Sequence, residues 1–96
     1  PGLSVLYLCP IKALLNNLHT RLQGYGAWVG RTVALWHGDV ADRDKEAVRR
    51  EQPNVLLTTP ESLEVLLTSR RSNAATMFEG VQVVIVDELH AFAGDD

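Results

Sequence analysis

The run Val83-Val84-Ile85-Val86 is followed without a break by Asp87-Glu88-Leu89-His90. Four aliphatic side chains in a row, with no polar residue between them, are typical of a parallel strand that is covered on both faces of its sheet. Burial of each such side chain stabilises a fold by roughly 1.5–3 kcal/mol. We therefore predict that this run is a central strand and that the acidic residues leave the sheet at its carboxyl end.

Three further apolar runs have the length of a strand, at residues 3–9, 32–36 and 54–58, and the last strand is predicted over 81–86. The segment after the first run has helical periodicity. Its apolar residues recur every three or four positions, at Ile11, Leu14, Leu15, Leu18 and Leu22. Gly24-Tyr25-Gly26 predicts the end of this helix, and Tyr25 and Trp28 are predicted to lie over the core.

Two more helices are predicted between the remaining strands. Residues 42–51 are strongly charged and indicate a short, solvated helix that ends before Pro53. Thr59 is placed to cap a helix whose first residue is Pro60, where a missing N–H costs nothing. The inward-facing residues of that helix are predicted to be Leu63, Leu66 and Leu67, and residues 74–78 are predicted to add one helical turn.

Strands that alternate with helices indicate the α/β class, with a mostly parallel sheet and crossover helices. In such sheets ligands bind at the carboxyl ends of the strands. The four predicted ends are residues 9–12, 37–39, 58–61 and 87–90. Functional residues are therefore expected in these four segments.

The adjacent acids Asp87 and Glu88 have the composition of a site for phosphate chemistry. A carboxylate that follows a buried strand is rigidly aimed, so Asp87 can hold a hydrated Mg²⁺ against nucleotide phosphates. Glu88 can then orient and deprotonate an attacking water. On these residues alone, an acidic pair that merely ends a strand is an equally open interpretation.

The other strand ends add a family resemblance that extends over all 96 residues. Pro10-Ile11-Lys12-Ala13-Leu14 resembles motif Ia, Thr59-Pro60-Glu61-Ser62-Leu63 resembles motif Ib, and Asp87-Glu88-Leu89-His90 resembles motif II of superfamily 2 ATP-dependent helicases. His37-Gly38-Asp39 is similar to the glycine turn between the first two motifs. The order and intervals resemble the DEAD/DEAH-box-like class, most of all its large helicase-related (Lhr-type) proteins.

The resemblance implies a partial RecA-like (P-loop NTPase-type) motor domain that uses ATP and Mg²⁺. Asp87 would bind the nucleotide's Mg²⁺ through water, Glu88 would be the catalytic base, and His90 would couple the nucleotide site to neighbouring motifs. One strand of DNA or RNA would be bound through its phosphates, with DNA repair as the expected process. The residues implied for that strand are Pro10, Lys12, Gly38, Asp39, Thr59, Pro60 and Glu61.

The chain has no Gly-x-x-x-x-Gly-Lys-Ser/Thr sequence, the phosphate-binding loop of P-loop NTPases. Residues 1–96 are therefore interpreted as an incomplete N-terminal motor domain that runs from motif Ia to motif II, without a Walker A loop or a second motor domain. The remainder of the same polypeptide is the expected partner. The isolated chain is expected to have no ATPase activity.

Two alternatives remain open at this point. One is a nucleotide-independent α/β binding module of the flavodoxin-like or receiver-like kind, although no acid occurs in the first 38 residues, where a receiver needs one. The other is a degenerate helicase domain that only binds, against which intact Asp87 and Glu88 count. The single Cys9 and the lack of an apolar run of ~20 residues lead us to expect a soluble, cytoplasmic protein without a membrane span.

Overall fold

The computed structural model describes residues 2–68 and 77–87. Four strands, β1 (Val5–Leu8), β2 (Val33–Trp36), β3 (Val55–Thr58) and β4 (Val83–Val86), form one sheet in the order β2-β3-β1-β4. Every pairing is parallel. The helices are α1 (Lys12–Val29), α2 (Asp42–Glu51) and α3 (Pro60–Thr68). The predicted α/β class with a parallel sheet is confirmed, and each predicted apolar run contains one strand.

Helices pack on both faces of the sheet. Successive side chains of a strand point to opposite sides, so each face has apolar side chains of its own to bury. On one face Leu6, Trp36 and Leu56 pack with Val48 of α2 and Leu66 of α3. The opposite face packs against α1 and is built around three buried residues, Cys9, Leu15 and Leu57. No helix in the described part of the chain is long and apolar enough to cross a membrane.

Among the strands of the described residues, the run at 83–86 is outermost rather than central as predicted. β4 is an outer strand that pairs with β1, and its side chains range from 42% exposed at Ile85 to 58% exposed at Val86. Aliphatic side chains favour burial, but the position of a strand in the sheet depends on which strands pair with it. Within residues 2–68 and 77–87, the two apolar clusters that include α1, α2 and α3 contain no residue of β4.

The predicted end of the first helix is also wrong, because α1 continues through Gly24 and Gly26 to Val29. A glycine inside a helix costs only about 1 kcal/mol relative to alanine. Gly26 also has a packing role, since a Cβ there would lie 2.6 Å from the carbonyl oxygen of Arg31. The helix ends at Gly30, whose φ of 70° is left-handed and therefore favours glycine.

The length of α1 explains why Tyr25 and Trp28 do not lie over the core as predicted. Tyr25 is 71% exposed and Trp28 is 91% exposed, so neither lies over the core. An 18-residue helix is about 27 Å long, roughly twice the length of a four-residue strand. Its last turns therefore extend past the strands. Leu67 was likewise expected to face inward but is exposed, whereas its neighbour Leu66 is fully buried.

Other local predictions agree with the structure. Helix α2 has the predicted bounds, Asp42–Glu51, and α3 begins at Pro60 as predicted. Of the predicted turn at 74–78, residues 77 and 78 are helical, and residues 74–76 lie outside the described residues.

Candidate functional site

The carboxyl ends of the four strands lie level with one another at one edge of the sheet. Trp36 pairs with Thr58, Thr58 with Leu8, and Leu8 with Val86. Two backbone hydrogen bonds continue the ladder beyond the strands, from Cys9 N to Thr58 O at 3.0 Å and from Asp87 N to Leu8 O at 2.8 Å. The structure therefore brings the four predicted segments together, as far as its described residues extend.

Asp87 is held in place by β1. Its backbone is fixed by the bond to Leu8, and its Oδ2 accepts a hydrogen bond of 2.8 Å from the hydroxyl of Tyr7. This hydrogen bond, together with partial burial and the carboxylate's charge, raises the pKa of Tyr7 to about 12. Tyr7 thus stays a protonated donor at neutral pH and orients the Asp87 carboxylate.

A carboxylate is the type of ligand that Mg²⁺ prefers in nucleotide sites, where one or two carboxylates act together with phosphates. Asp87 fits that requirement as a single protein ligand. Residues 2–68 and 77–87 contain no group of three or more His, Cys, Asp or Glu that could hold a metal by themselves. Glu88 and His90, the other two predicted catalytic residues, lie outside the described residues.

Lys12 and Asp39 meet across the sheet edge. The Nζ of Lys12 lies 3.4 Å from Oδ1 of Asp39, and both side chains are exposed. An exposed pair of this kind contributes about 0–1 kcal/mol, so a phosphate can replace the carboxylate as the partner of Lys12. Gly38 lies beside this pair, since a Cβ on Gly38 would be 3.4 Å from the Lys12 ammonium, an ordinary van der Waals contact.

The start of α1 has the features of an anion site. Pro10 and Ile11 precede the helix, whose first turn has neither a side-chain cap nor an acidic residue. Lys12 is the first helical residue, although a cation at a helix N-terminus is disfavoured by roughly 0.3–1 kcal/mol. The backbone N–H groups of the first turn can bind an anion, and a bound anion would remove that penalty.

The start of α3 is capped differently. The Thr59 hydroxyl accepts a hydrogen bond from Ser62 N at 3.0 Å and donates one to Ser62 Oγ at 2.7 Å, and Thr59 is buried. The predicted cap is therefore confirmed. Because that hydroxyl is engaged, a phosphate at this end would be bound by backbone N–H groups rather than by Thr59 Oγ1. Pro60 has no N–H to offer, and the Glu61 carboxylate would repel a phosphate.

Two residues at this edge were not found from the sequence. Tyr7 contacts Asp87, and the amide oxygen of Asn16 in α1 lies 2.9 Å from Nε2 of the buried His37. Neither residue has a signal in the sequence, because both contacts join segments that are distant along the chain. His37 itself directly follows β2 and is 2% exposed.

Comparison with known proteins agrees with this geometry. The family model for DEAD/DEAH box helicases matches residues 1–96. The chain is 38% identical to the Lhr helicase/uracil glycosylase of Escherichia coli, with 94% of this chain and 6% of that protein covered. It is 30% identical to the ATP-dependent helicase Lhr-Core of Methanocaldococcus jannaschii, with 91% and 12% covered.

A solved structure is also similar, that of Mycobacterium smegmatis helicase Lhr bound to ssDNA and AMP-PNP. The TM-score is 0.77 and the identity 36%, over 96% of this chain and 13% of that one. The chain thus spans only a small part of the length of these relatives. The predicted RecA-like fold class and the resemblance to Lhr-type proteins are confirmed, and an unrelated receiver-like module is excluded. The chain belongs to the DEAD/DEAH box helicase family.

Proposed function

We propose that this chain supplies an ATP-hydrolysis centre and part of a single-strand-binding track to an ATP-dependent nucleic-acid helicase. The observation that carries the proposal is the level arrangement of the strand ends, which puts Asp87 and the turn at 37–39 on one edge. The similar M. smegmatis protein, bound to ssDNA and AMP-PNP, supports both halves of it.

The nucleotide half centres on β4 and its continuation. Asp87, oriented by Tyr7 and Leu8, would bind Mg²⁺ through water, and Mg²⁺ would neutralise charge on the nucleotide phosphates. Glu88 would take a proton from the attacking water. His90 would couple this centre to neighbouring motifs. The roles of Glu88 and His90 remain predictions based on the family resemblance.

The nucleic-acid half would use the other strand ends. The start of α1, with Pro10 and Lys12, would bind one phosphate, and the turn at Gly38 and Asp39 would lie beside it. The start of α3, at Thr59, Pro60 and Glu61, would take a further phosphate through backbone N–H groups, which Pro60 lacks, and against the charge of Glu61. Contacts of this kind position a strand and carry little sequence information.

The wider setting is also proposed rather than established. Residues 1–96 would be an incomplete N-terminal motor domain that works with the rest of the same polypeptide. A cytoplasmic location and a part in DNA repair remain predictions from the resemblance.

The test is Glu88→Gln in the full-length protein, with phosphate release measured in the presence of single-stranded DNA and Mg²⁺. Loss of the base should slow hydrolysis by roughly 10²–10⁴-fold while binding of a fluorescent ATP analogue persists. Glu79→Gln is the matched control, because Glu79 is exposed and precedes β4. A wild-type protein without ATPase activity would support the binding-only alternative, and equal rates in both variants would remove Glu88 from the mechanism.

A further inference from the structure

Residues 37–40 form a β-turn that is stabilised by the side chain of its first residue, His37. Val40 N donates to His37 O at 3.0 Å and closes the turn. Within it, Asp39 N donates to Nδ1 of the His37 ring at 3.1 Å. The imidazole therefore fixes the orientation of the Asp39 N–H, which lies in the middle of the glycine turn.

Two side chains on one face of α1 contact this turn, at His37 and at Asp39. Lys12 and Asn16 are four residues apart and so are neighbours on the helix surface. Lys12 Nζ lies 3.4 Å from Asp39 Oδ1, and Asn16 Oδ1 lies 2.9 Å from His37 Nε2. The turn and the start of α1, which would bind neighbouring phosphates, thereby contact each other through two pairs of side chains.

These hydrogen bonds admit one protonation state of His37. A backbone N–H can only donate, so Nδ1, which accepts from Asp39 N, carries no proton. The proton is then on Nε2, which donates to the Asn16 amide oxygen. Protonation of Nδ1 would place its N–H opposite the N–H of Asp39, so the hydrogen bond between Asp39 and the ring would be lost.

We propose that His37 is a positioning residue that holds the 37–40 turn for a phosphate of the bound strand only while its ring is neutral, so that single-strand affinity falls as the ring is protonated. The proposal rests on the proposed function, because it concerns the same nucleic-acid track. It adds a regulated contact that is set by the tautomer of a buried residue.

Burial of the His37 ring favours its neutral state. Burial lowers the pKa of His37 below its ordinary value of 6.5, and Lys12 of α1 and Lys45 of α2 lower it further. Asp39, in the turn itself, acts in the opposite direction. A lowered pKa means that the turn is intact at neutral pH and is lost only on acidification, as pH falls below about 6.5.

The experiment measures the anisotropy of a labelled oligothymidylate bound to the full-length protein, from about pH 8 to about pH 5. Wild-type affinity should fall by roughly fivefold on acidification, the equivalent of one lost hydrogen bond. His37→Asn should not show this fall, because its Oδ1 lies as many bonds from Cβ as Nδ1 does, accepts from Asp39 N and does not titrate. Thermal melting at both pH values checks that each protein is folded.

Asn16→Asp gives a second, opposite readout on an exposed residue. A carboxylate facing Nε2 favours the imidazolium, so the pH at the midpoint of the affinity loss should rise by about one unit. Asn17→Asp is the matched control, since it adds the same charge one position along α1 and is also exposed. It should leave the midpoint close to that of the wild type.

Parallel pH profiles for wild type and His37→Asn would overturn the proposal, as would an affinity that rises on acidification. An unchanged midpoint in Asn16→Asp would overturn it as well. These results would leave the proposed function intact, provided that the wild type binds the oligonucleotide near pH 8. A wild-type protein that binds no single strand at any pH would overturn both the nucleic-acid half of the proposed function and this inference.

Discussion

The two outer strands of the sheet, β2 and β4, differ in how well they are covered. Trp36 at the end of β2 is 4% exposed, packs in the core with α2 and α3, and has Arg49 of α2 over its ring at 5.0 Å. All four side chains of β4 are exposed, although β4 is the more aliphatic strand. Among the described residues, packing against helices rather than composition thus decides which of these two strands is buried.

The same contrast separates the two halves of the proposed function. The turn after β2 is held by α1 through Lys12 and Asn16. Asp87 after β4 is held by β1, through Leu8 and Tyr7. The nucleic-acid side therefore depends on helix packing and the nucleotide side on one neighbouring strand, and substitutions on the two sides should have different effects.

The largest effect is expected from Trp36→Ala, which should lower the free energy of unfolding by about 3–5 kcal/mol because it empties a buried site. Ile85→Ala is the comparison on the other outer strand. Ile85 is already half-exposed, so its truncation should cost well under half as much. Urea denaturation of both variants measures the difference, and equal losses would mean that β4 is covered as well as β2.

The next effect is expected from Asp87→Ala in the full-length protein. Loss of the carboxylate should reduce Mg²⁺-dependent ATP hydrolysis by about 10²-fold or more and weaken Mg²⁺-dependent binding of a fluorescent nucleotide. Asp39→Ala makes the same change at the end of the other outer strand and should leave hydrolysis without nucleic acid unchanged. If the two variants behaved alike, the division between a nucleotide side and a nucleic-acid side would fail.

A smaller effect on the nucleotide side is expected from Tyr7→Phe, which keeps the ring and removes the hydroxyl that orients Asp87. The Mg²⁺ concentration for half-maximal nucleotide binding should rise by roughly tenfold, in line with the loss of one hydrogen bond to a charged group. Tyr25→Phe, at an exposed position of α1, is the control. An unchanged Mg²⁺ requirement would show that the Tyr7 hydroxyl is not needed to position Asp87.

Much of the local structure could be predicted because its causes are local. The Thr59 cap and the start of α3 at Pro60 follow from side chains next to one another, and each strand follows from its own apolar run. The place of β4 in the sheet could not be predicted, since strand order depends on distant segments. The Tyr7–Asp87 contact joins residues 80 apart in the sequence and was missed for the same reason.

The end of α1 was missed for an energetic reason. Gly24 and Gly26 resemble a stop signal, but the cost of a helical glycine is small beside continued hydrogen bonding along the helix. Only the left-handed backbone at Gly30 ends α1. Glycine therefore marks positions where a helix can end, and the conformation that follows decides which of them is used.

The smallest predicted effect concerns Lys12 on the nucleic-acid side. In the free protein Lys12 is paired with Asp39, so binding a phosphate exchanges one exposed partner for another. Lys12→Ala should weaken single-strand binding for all sequences alike and reduce the slope of log affinity against log salt by about 0.7, the value for one phosphate contact. Anisotropy titrations at several salt concentrations measure that slope.

The ion pair makes a second variant informative. Lys12→Ala alone leaves the Asp39 carboxylate without this cation near the bound strand, and that charge repels phosphate. The double variant Lys12→Ala/Asp39→Ala removes both charges, so it should recover part of the lost affinity while the slope stays reduced. Arg21→Ala, an exposed cation farther along α1, should change neither quantity. A slope that Lys12→Ala leaves unchanged would place Lys12 off the track and confine its role to holding the turn through Asp39.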